Sequence, residues 1–314
     1  MKVMVTGAAG FIGSNLVEAL VERGDTVLGL DNLSTGRLEN LKCVEGRPNF
    51  EFVKADLRDE VAVERSCRGV EVVFHEGALP SVPRSIENPK ETFDINVGGT
   101  MNVLMAAKKA NVARVVFASS SSIYGNAEVQ PVAETVVPNP ISPYGASKLA
   151  SEAFGFSFAA SFRLRFYALR YFNVFGPRQD PKSDYAAVLP RFMSRLTNGS
   201  KPVIYGDGLQ TRDFTFVGNV VKANLLVADK KDAPTGAYNI AAGSPHTVKE
   251  LLETLCKIYD KPYDPAFEPP RPGDILRSSA DVRKAREALG YRTVTELQAG
   301  LEITSKAAQL GLVV

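Results

Sequence analysis

The feature that most constrains this 314-residue chain lies at its start. A short apolar run, residues 2–6 (KVMVT), leads into Gly7, Gly10 and Gly13 and then into residues 11–23, which carry Phe11, Ile12, Leu16 and Leu20 at helical spacing. Strand, glycine turn and helix in that order meet three demands of a bound pyrophosphate. The turn must be tight, the backbone must approach the anion closely, and the helix must open its N–H groups toward it. A glycine triplet alone would mark an ordinary strand–helix turn equally well. The next strand decides between them: residues 26–31 (TVLGLD) have strand character and end in Asp31. A carboxylate there accepts from both ribose hydroxyls and repels a 2′-phosphate. The expectation is a dinucleotide site that takes NAD rather than NADP, with Arg37 the one nearby cation able to tolerate a phosphate. Asp56 and Leu57, after a third strand at 50–54, would reach the same sheet edge, where they could read the adenine.

The alternation continues. Residues 70–75, 113–119 and 165–172 read as further strands, and 92–110 and 144–160 as long helices. Such alternation argues for α/β architecture, a Rossmann-type doubly wound parallel sheet with helices on both faces. Beyond Gly176 prolines and glycines are denser and the alternation stops. Thr247 and Glu250 ahead of Leu251, Leu252 and Leu255 form a capping-box pattern, and the proline-rich stretch 262–274 reads as an ordered loop. The expected division is a nucleotide-binding domain over 1–174 with a return segment about 213–243, and a smaller α/β substrate domain over 175–212 and 244–314. Composition removes other classes. With 37 basic and 35 acidic residues the net charge is +2, which argues against a nucleic-acid partner. No apolar stretch approaches the length of a membrane span, and the strand-like opening leaves no room for a signal peptide. Three cysteines and two histidines suit neither a disulfide framework nor a metal site. A cytoplasmic protein without bound metal is expected.

The chemistry is carried by Tyr144 and Lys148, four residues apart on one helical face, and by the serine run Ser119–Ser122 at the end of a central strand, where open α/β sheets place their ligands. With these residues in this order the chain resembles the extended short-chain dehydrogenase/reductases. Further marks of that family are DNLSTG at 31–36, NVGGT at 96–100, RYFNVFGPRQ at 170–179, YGDG at 205–208, QTRDF at 210–214 and RPGD at 271–274. The resemblance covers essentially the whole chain. It implies a catalytic trio of Ser120, Tyr144 and Lys148. It also implies a cofactor site built from Gly7, Gly10, Phe11, Ile12, Gly13, Asp31, Asn32, Ser34, Thr35, Gly36, Asp56, Leu57, Asn96, Tyr144 and Lys148. In proton terms, Lys148 and a cationic nicotinamide would favour the Tyr144 phenolate. Tyr144 would then take a proton from a sugar hydroxyl as hydride leaves its carbon, with Ser120 orienting that hydroxyl.

Dehydratases of this family carry an acidic pair beside the catalytic hydroxyl, and decarboxylases a glutamate two residues before the Tyr124 equivalent. Here Ser121 and Ser122 stand at those positions. Without a second acid or base, the simplest fate of the ketone is return of hydride to its other face, a 4-epimerisation. The resemblance further implies a UDP-sugar substrate. Arg212 and Arg271 would hold the diphosphate, Asp274 the uridine ribose, and Val188 and Tyr205 the uridine, while Asn173 would meet the diphosphate–sugar link. Pro80, Ser120, Tyr144, Asn173, Ala187 and Ser278 match the sugar pocket of the group acting on N-acetylated UDP-hexoses, with Ser81, Ser121 and Ser122 beside them. Ser278 is the most informative, because a small side chain there leaves room for an acetamido group. Pro80 departs from the glycine of that group, His75-Glu76-Gly77-Ala78 from its H-x-A-A, and Gly218-Asn219 from a common acidic pair. A UDP-glucuronate 4-epimerase, needing a cation such as Arg84 or Lys182 beside C6, is the next reading, and a non-catalytic dinucleotide sensor a more distant one. The family also implies a homodimer through the helices at 92–110 and 144–160.

Overall fold

The computed structural model describes residues 1–180, 188–270 and 276–309. Seven strands make the central sheet: β1 (Lys2–Thr6), β2 (Thr26–Asp31), β3 (Phe50–Lys54), β4 (Val72–His75), β5 (Arg114–Ser120), β6 (Arg165–Tyr171) and β7 (Gly236–Ile240). Their order across the sheet is β3-β2-β1-β4-β5-β6-β7, and every pairing is parallel. Winding proceeds outward from β1 to β3 and then reverses, so the switch point falls between β1 and β4. In an open parallel sheet the crevice at that point, beyond the carboxyl ends of the strands, is where ligands bind.

Both faces are covered, as near-continuous apolar strands require. Helices α1 (Phe11–Glu22) and α6 (Val217–Asp229) bury Leu16, Val17, Leu20, Val220 and Val227 against Val5, Phe74 and Val116. On the other face α2 (Glu60–Ser66), α3 (Gly99–Lys109) and α4 (Pro143–Phe162) pack Val63, Val103, Leu104 and Phe158 over Val73, Val115 and Phe166. The helix expected over 92–110 is interrupted by a wider π-helical turn at Asp94–Gly98. There the carbonyl of Asn96 accepts from the Thr100 and Ser151 hydroxyls, and its amide is committed to Leu79 and Ser147. Such turns are frequent at functional sites.

After β6 the chain forms a second core. Helices α5 (Val188–Thr197), α7 (Val248–Ile258) and α8 (Leu297–Gln309) enclose Phe175, Phe192, Phe216, Leu251 and Leu301. The expected capping box is formed: Thr247 N donates to Glu250 Oε2 at 2.8 Å and Glu250 N to Thr247 Oγ1 at 3.1 Å. The stretch 262–274 is not loop throughout, because Ala266–Glu268 pairs in parallel with Val203–Tyr205. Its prolines flank the strand rather than interrupt it, so no ladder donor is lost. Thr211–Arg212 runs between His246–Thr247 and Arg277–Ser278, with Arg212 registered beside Ser278.

Candidate active site

A cavity of about 850 Å³ lies at the β1/β4 switch point. Gly7, Gly10, Phe11, Ile12 and Gly13 form its floor. Gly7 adopts φ +65°, and a Cβ on it would lie 2.7 Å from Gly77 Cα; one on Gly13 would lie 2.0 Å from Gly7 O. The turn therefore has no room for side chains. Helix α1 starts without a side-chain cap and without a carboxylate in its first turn, so its opening N–H groups and positive dipole face the cavity, a cradle for a diphosphate.

Asp31 closes the far end. Its Oδ2 accepts from Ala9 N at 3.0 Å and its Oδ1 from Leu33 N at 2.8 Å; burial pushes its carboxyl up, and these backbone donors oppose the shift. Asn32, Ser34, Thr35, Gly36, Asp56 and Leu57 line the same end. Arg58 beside Asp56 holds that carboxyl well below the usual range, and Asn32 Nδ2 donates to it at 2.7 Å. Arg37, the cation that could have welcomed a 2′-phosphate, is paired with Asp180 at 3.1 Å.

Tyr144 and Lys148 line the other end, and Ser120, beside Tyr144, is not among the lining residues. Ser142 caps α4 by accepting from Gly145 N, and Tyr144 N donates to Ser85 Oγ at 3.0 Å. One turn later Lys148 is buried, with Nζ donating to Ala118 O at 2.8 Å and standing 5.9 Å from the Tyr144 ring centre. Burial lowers Lys148 to about 8. Tyr144 is pushed up by burial, with the Ser120 hydroxyl pulling the other way. Burial therefore disfavours the phenolate in the protein alone, and Lys148 is the buried cation that stands beside the ring. Within the serine run the neighbours part company. Ser119 is buried and donates to Glu152 Oε1 at 2.5 Å, whereas Ser120 turns toward Tyr144 and accepts from the amide and hydroxyl of Ser122 at 3.2 and 2.9 Å. Ser121 begins the short turn Ser121–Tyr124.

Pro80 and Ser81 form part of the wall, Ser81 at φ +120° while its hydroxyl accepts from Arg84 N. Beyond β6, Asn173 Nδ2 donates to Asp213 O, and Asp213 N to Ser278 O. Asp213 is buried and accepts from the amides of Ala242, Gly243 and Ala280. Asn173, Arg212 and Ser278 are thereby knitted together, although among the described residues none of the three lines the cavity itself. Val188 opens α5 and Tyr205 ends its short strand. Ala187, Arg271, Asp274 and Lys182 lie outside the described residues. Asn96 also lies outside the cavity lining, its side chain spent on Leu79 and Ser147.

The profile of the NAD dependent epimerase/dehydratase family matches residues 3–241. The chain belongs to that family. It is an NAD-dependent enzyme, and the glycine cradle with Asp31 fits that cofactor. A UDP-glucose 4-epimerase of Mycolicibacterium smegmatis is 39% identical, with 97% of each chain aligned. The UDP-N-acetylglucosamine 4-epimerase from Methanobrevibacter ruminantium M1, solved in complex with UDP-N-acetylmuramic acid, superposes with a TM-score of 0.94 at 38% identity over 99% of this chain and 98% of its own. The Thermus thermophilus UDP-glucose 4-epimerase complex with NAD gives 0.88 at 38% identity over 98% and 99%.

This epimerase/dehydratase chain also places in the cavity residues that the sequence did not single out, notably Glu76 and Tyr171. Tyr171 ends β6 opposite Ser120 in the sheet register, a placement the RYFNV stretch hinted at without marking the side chain. Among the described residues no group of three His, Cys, Asp or Glu side chains could hold a metal ion, and no helix is long and apolar enough to cross a membrane.

Proposed function

We propose that the chain is a UDP-hexose 4-epimerase acting on UDP-N-acetylglucosamine and UDP-N-acetylgalactosamine, and also on UDP-glucose and UDP-galactose. The carrying observation is the Ser120–Tyr144–Lys148 cluster at the end of β5 with serines, not carboxylates, at 121 and 122. Elimination or decarboxylation would need a further acid or base there. When bound, NAD supplies the acceptor and donor for the hydrogen at C4. Tyr144 takes the C4 hydroxyl proton and returns it, Ser120 hydrogen-bonds the same oxygen, and Lys148 places a buried cation beside both. Arg212 is assigned to the diphosphate, whose oxygens suit a guanidinium fork; Arg271, Asp274 and Ala187 are assigned to the UDP-sugar on sequence pattern. Residues 1–174 with 213–243 are assigned to the cofactor, and 175–212 with 244–314 to the sugar nucleotide. Exposed Phe93, Met105, Phe154 and Phe162 on the 89–109 and α4 helices support a homodimer through that face. Three free cysteines accord with a cytoplasmic setting.

The N-acetyl preference rests on Ser278 beside Arg212. A keto-sugar must turn over between the two transfers, so its C2 substituent needs room in both orientations. The test is turnover of UDP-N-acetylglucosamine, UDP-glucose and UDP-glucuronate offered separately to wild type and to Ser278→Tyr. Overpacking costs about 1–3 kcal/mol, so kcat/KM for the N-acetylated pair should fall about 5- to 150-fold with the plain hexoses spared. Equal loss on both pairs refutes the role of Ser278, and turnover of UDP-glucuronate alone refutes the substrate class. The glucuronate reading would need a cation beside C6; Arg84 lines the cavity and lies 3.5 Å from Glu91, and Lys182 lies outside the described residues.

A further inference from the structure

Glu76 takes no part in the proton transfer assigned to Ser120, Tyr144 and Lys148, yet it lines the same cavity. Its Oε1 accepts from the Tyr171 hydroxyl at 2.9 Å, and that hydroxyl accepts in turn from Asn224 Nδ2 at 2.8 Å. Tyr171 is therefore saturated and pins one carboxyl oxygen. The other, Oε2, is buried and has no hydrogen-bond partner. A buried carboxyl oxygen without a donor is costly and calls for a missing partner. The position says which kind. Gly77, the next residue, packs on Gly7 of the glycine turn, and on the other side the Lys148 charge acts on Glu76. The orphan oxygen thus stands between the diphosphate cradle and the catalytic cluster, along the stretch that the nicotinamide half of a dinucleotide must cross.

We propose that Glu76 is a positioning residue for the cofactor: Oε2 accepts a hydrogen bond from the nicotinamide nucleoside, and the carboxylate favours the cationic oxidised ring over the neutral reduced one. An enzyme that must finish each cycle with its cofactor oxidised gains from this bias, because a keto-sugar lost in mid-cycle strands the cofactor reduced. Burial pushes Glu76 up to about 7, against the pull of Tyr171 and Lys148; a cationic ring alongside adds to that pull and keeps the carboxylate charged.

The test uses holoenzyme without any UDP-sugar, so its result is independent of which sugar is turned over. The midpoint potential of the bound cofactor is read from the near-ultraviolet absorbance of the reduced ring in a mediator titration. Glu76→Gln keeps the shape and the acceptor for Tyr171 but removes the charge. It should shift the oxidised/reduced balance about tenfold toward the reduced form, a rise of about 30 mV for a two-electron couple. Glu76→Asp, which keeps the charge, and Tyr171→Phe, which keeps the carboxylate, should both hold the wild-type potential. An unchanged potential in Glu76→Gln overturns the proposal. So does an equal shift in Tyr171→Phe, which would make Glu76 only an anchor for Tyr171.

Discussion

Removing the carboxyl of Glu152 tests how the floor of the catalytic cluster is held. Glu152 and Arg170 are 2% and 7% exposed, and the guanidinium donates from Nη2 to Oε2 at 2.7 Å and from Nε to Oε1 at 3.0 Å. The pair is extended on both sides: Ser119 donates to Glu152, and Arg170 Nη1 donates to Tyr124 Oη at 2.7 Å, whose hydroxyl donates to Asn239. Burial alone would pull the Arg170 guanidinium down; Glu152 more than offsets it. Glu152→Ala leaves that cation buried with Tyr124 and strips Ser119 of its acceptor. Breaking one side of a buried pair costs about 3–5 kcal/mol, which for a chain of this size lowers Tm by on the order of 5–10 °C. Calorimetry of the holoenzyme measures the loss. The turnover number should drop with it, because Ser119 and Arg170 fix the β5 and β6 ends that carry Ser120 and Tyr171. The double change Glu152→Leu with Arg170→Met removes both charges together and should recover most of the stability. A single-mutant loss below about 1 kcal/mol would mean that desolvation cancels the pair and would refute its role as a brace.

Tyr144→Phe deletes the proposed base but keeps the ring, so kcat should nearly vanish while KM moves only a few-fold; an unchanged kcat would show that another group takes the proton. Ser120→Ala should cost less, about 10- to 10³-fold, as fits an orienting hydrogen bond. In dinucleotide-free protein Glu76 binds its proton more tightly folded than unfolded, its pKa standing at about 7 against the usual 4.5. Its contribution to stability is therefore full below the unfolded value and is lost as pH rises to 7. At about 1.4 kcal/mol per pH unit that is roughly 3 kcal/mol. Glu76→Gln should thus gain on wild type in urea unfolding between pH 5 and 8; parallel stabilities across that range would contradict the assignment.

The local sequence determined what depends on neighbours along the chain. Residues 2–31 announced strand, glycine turn, helix and a strand-end carboxylate, because apolar period, glycine spacing and a strand-end acid are all short-range properties. Tyr144 and Lys148 were legible for the same reason, four residues being one turn of helix, as was the Thr247–Glu250 capping box. Choosing Ser120 over Ser119 from sequence needed the family pattern; the structure supplies the physical ground, since the Ser119 hydroxyl is spent on Glu152 while Ser120, where β5 ends and the next turn begins, hydrogen-bonds Tyr144. The strand at 266–268 was hidden in a proline-rich stretch, because its partner at 203–205 lies far away in sequence. Asn96 is a cofactor ligand by family pattern alone, and only the packed chain shows its side-chain amide bonded to Leu79 and Ser147. Glu76 is the clearest case. Beside a histidine after an apolar strand it reads as one more polar residue, and its meaning comes from Tyr171, Asn224 and Lys148, brought to it from β6, α6 and α4. Burial and hydrogen-bond satisfaction are properties of the packed chain, so tertiary structure alone decides which polar atom is left without a partner.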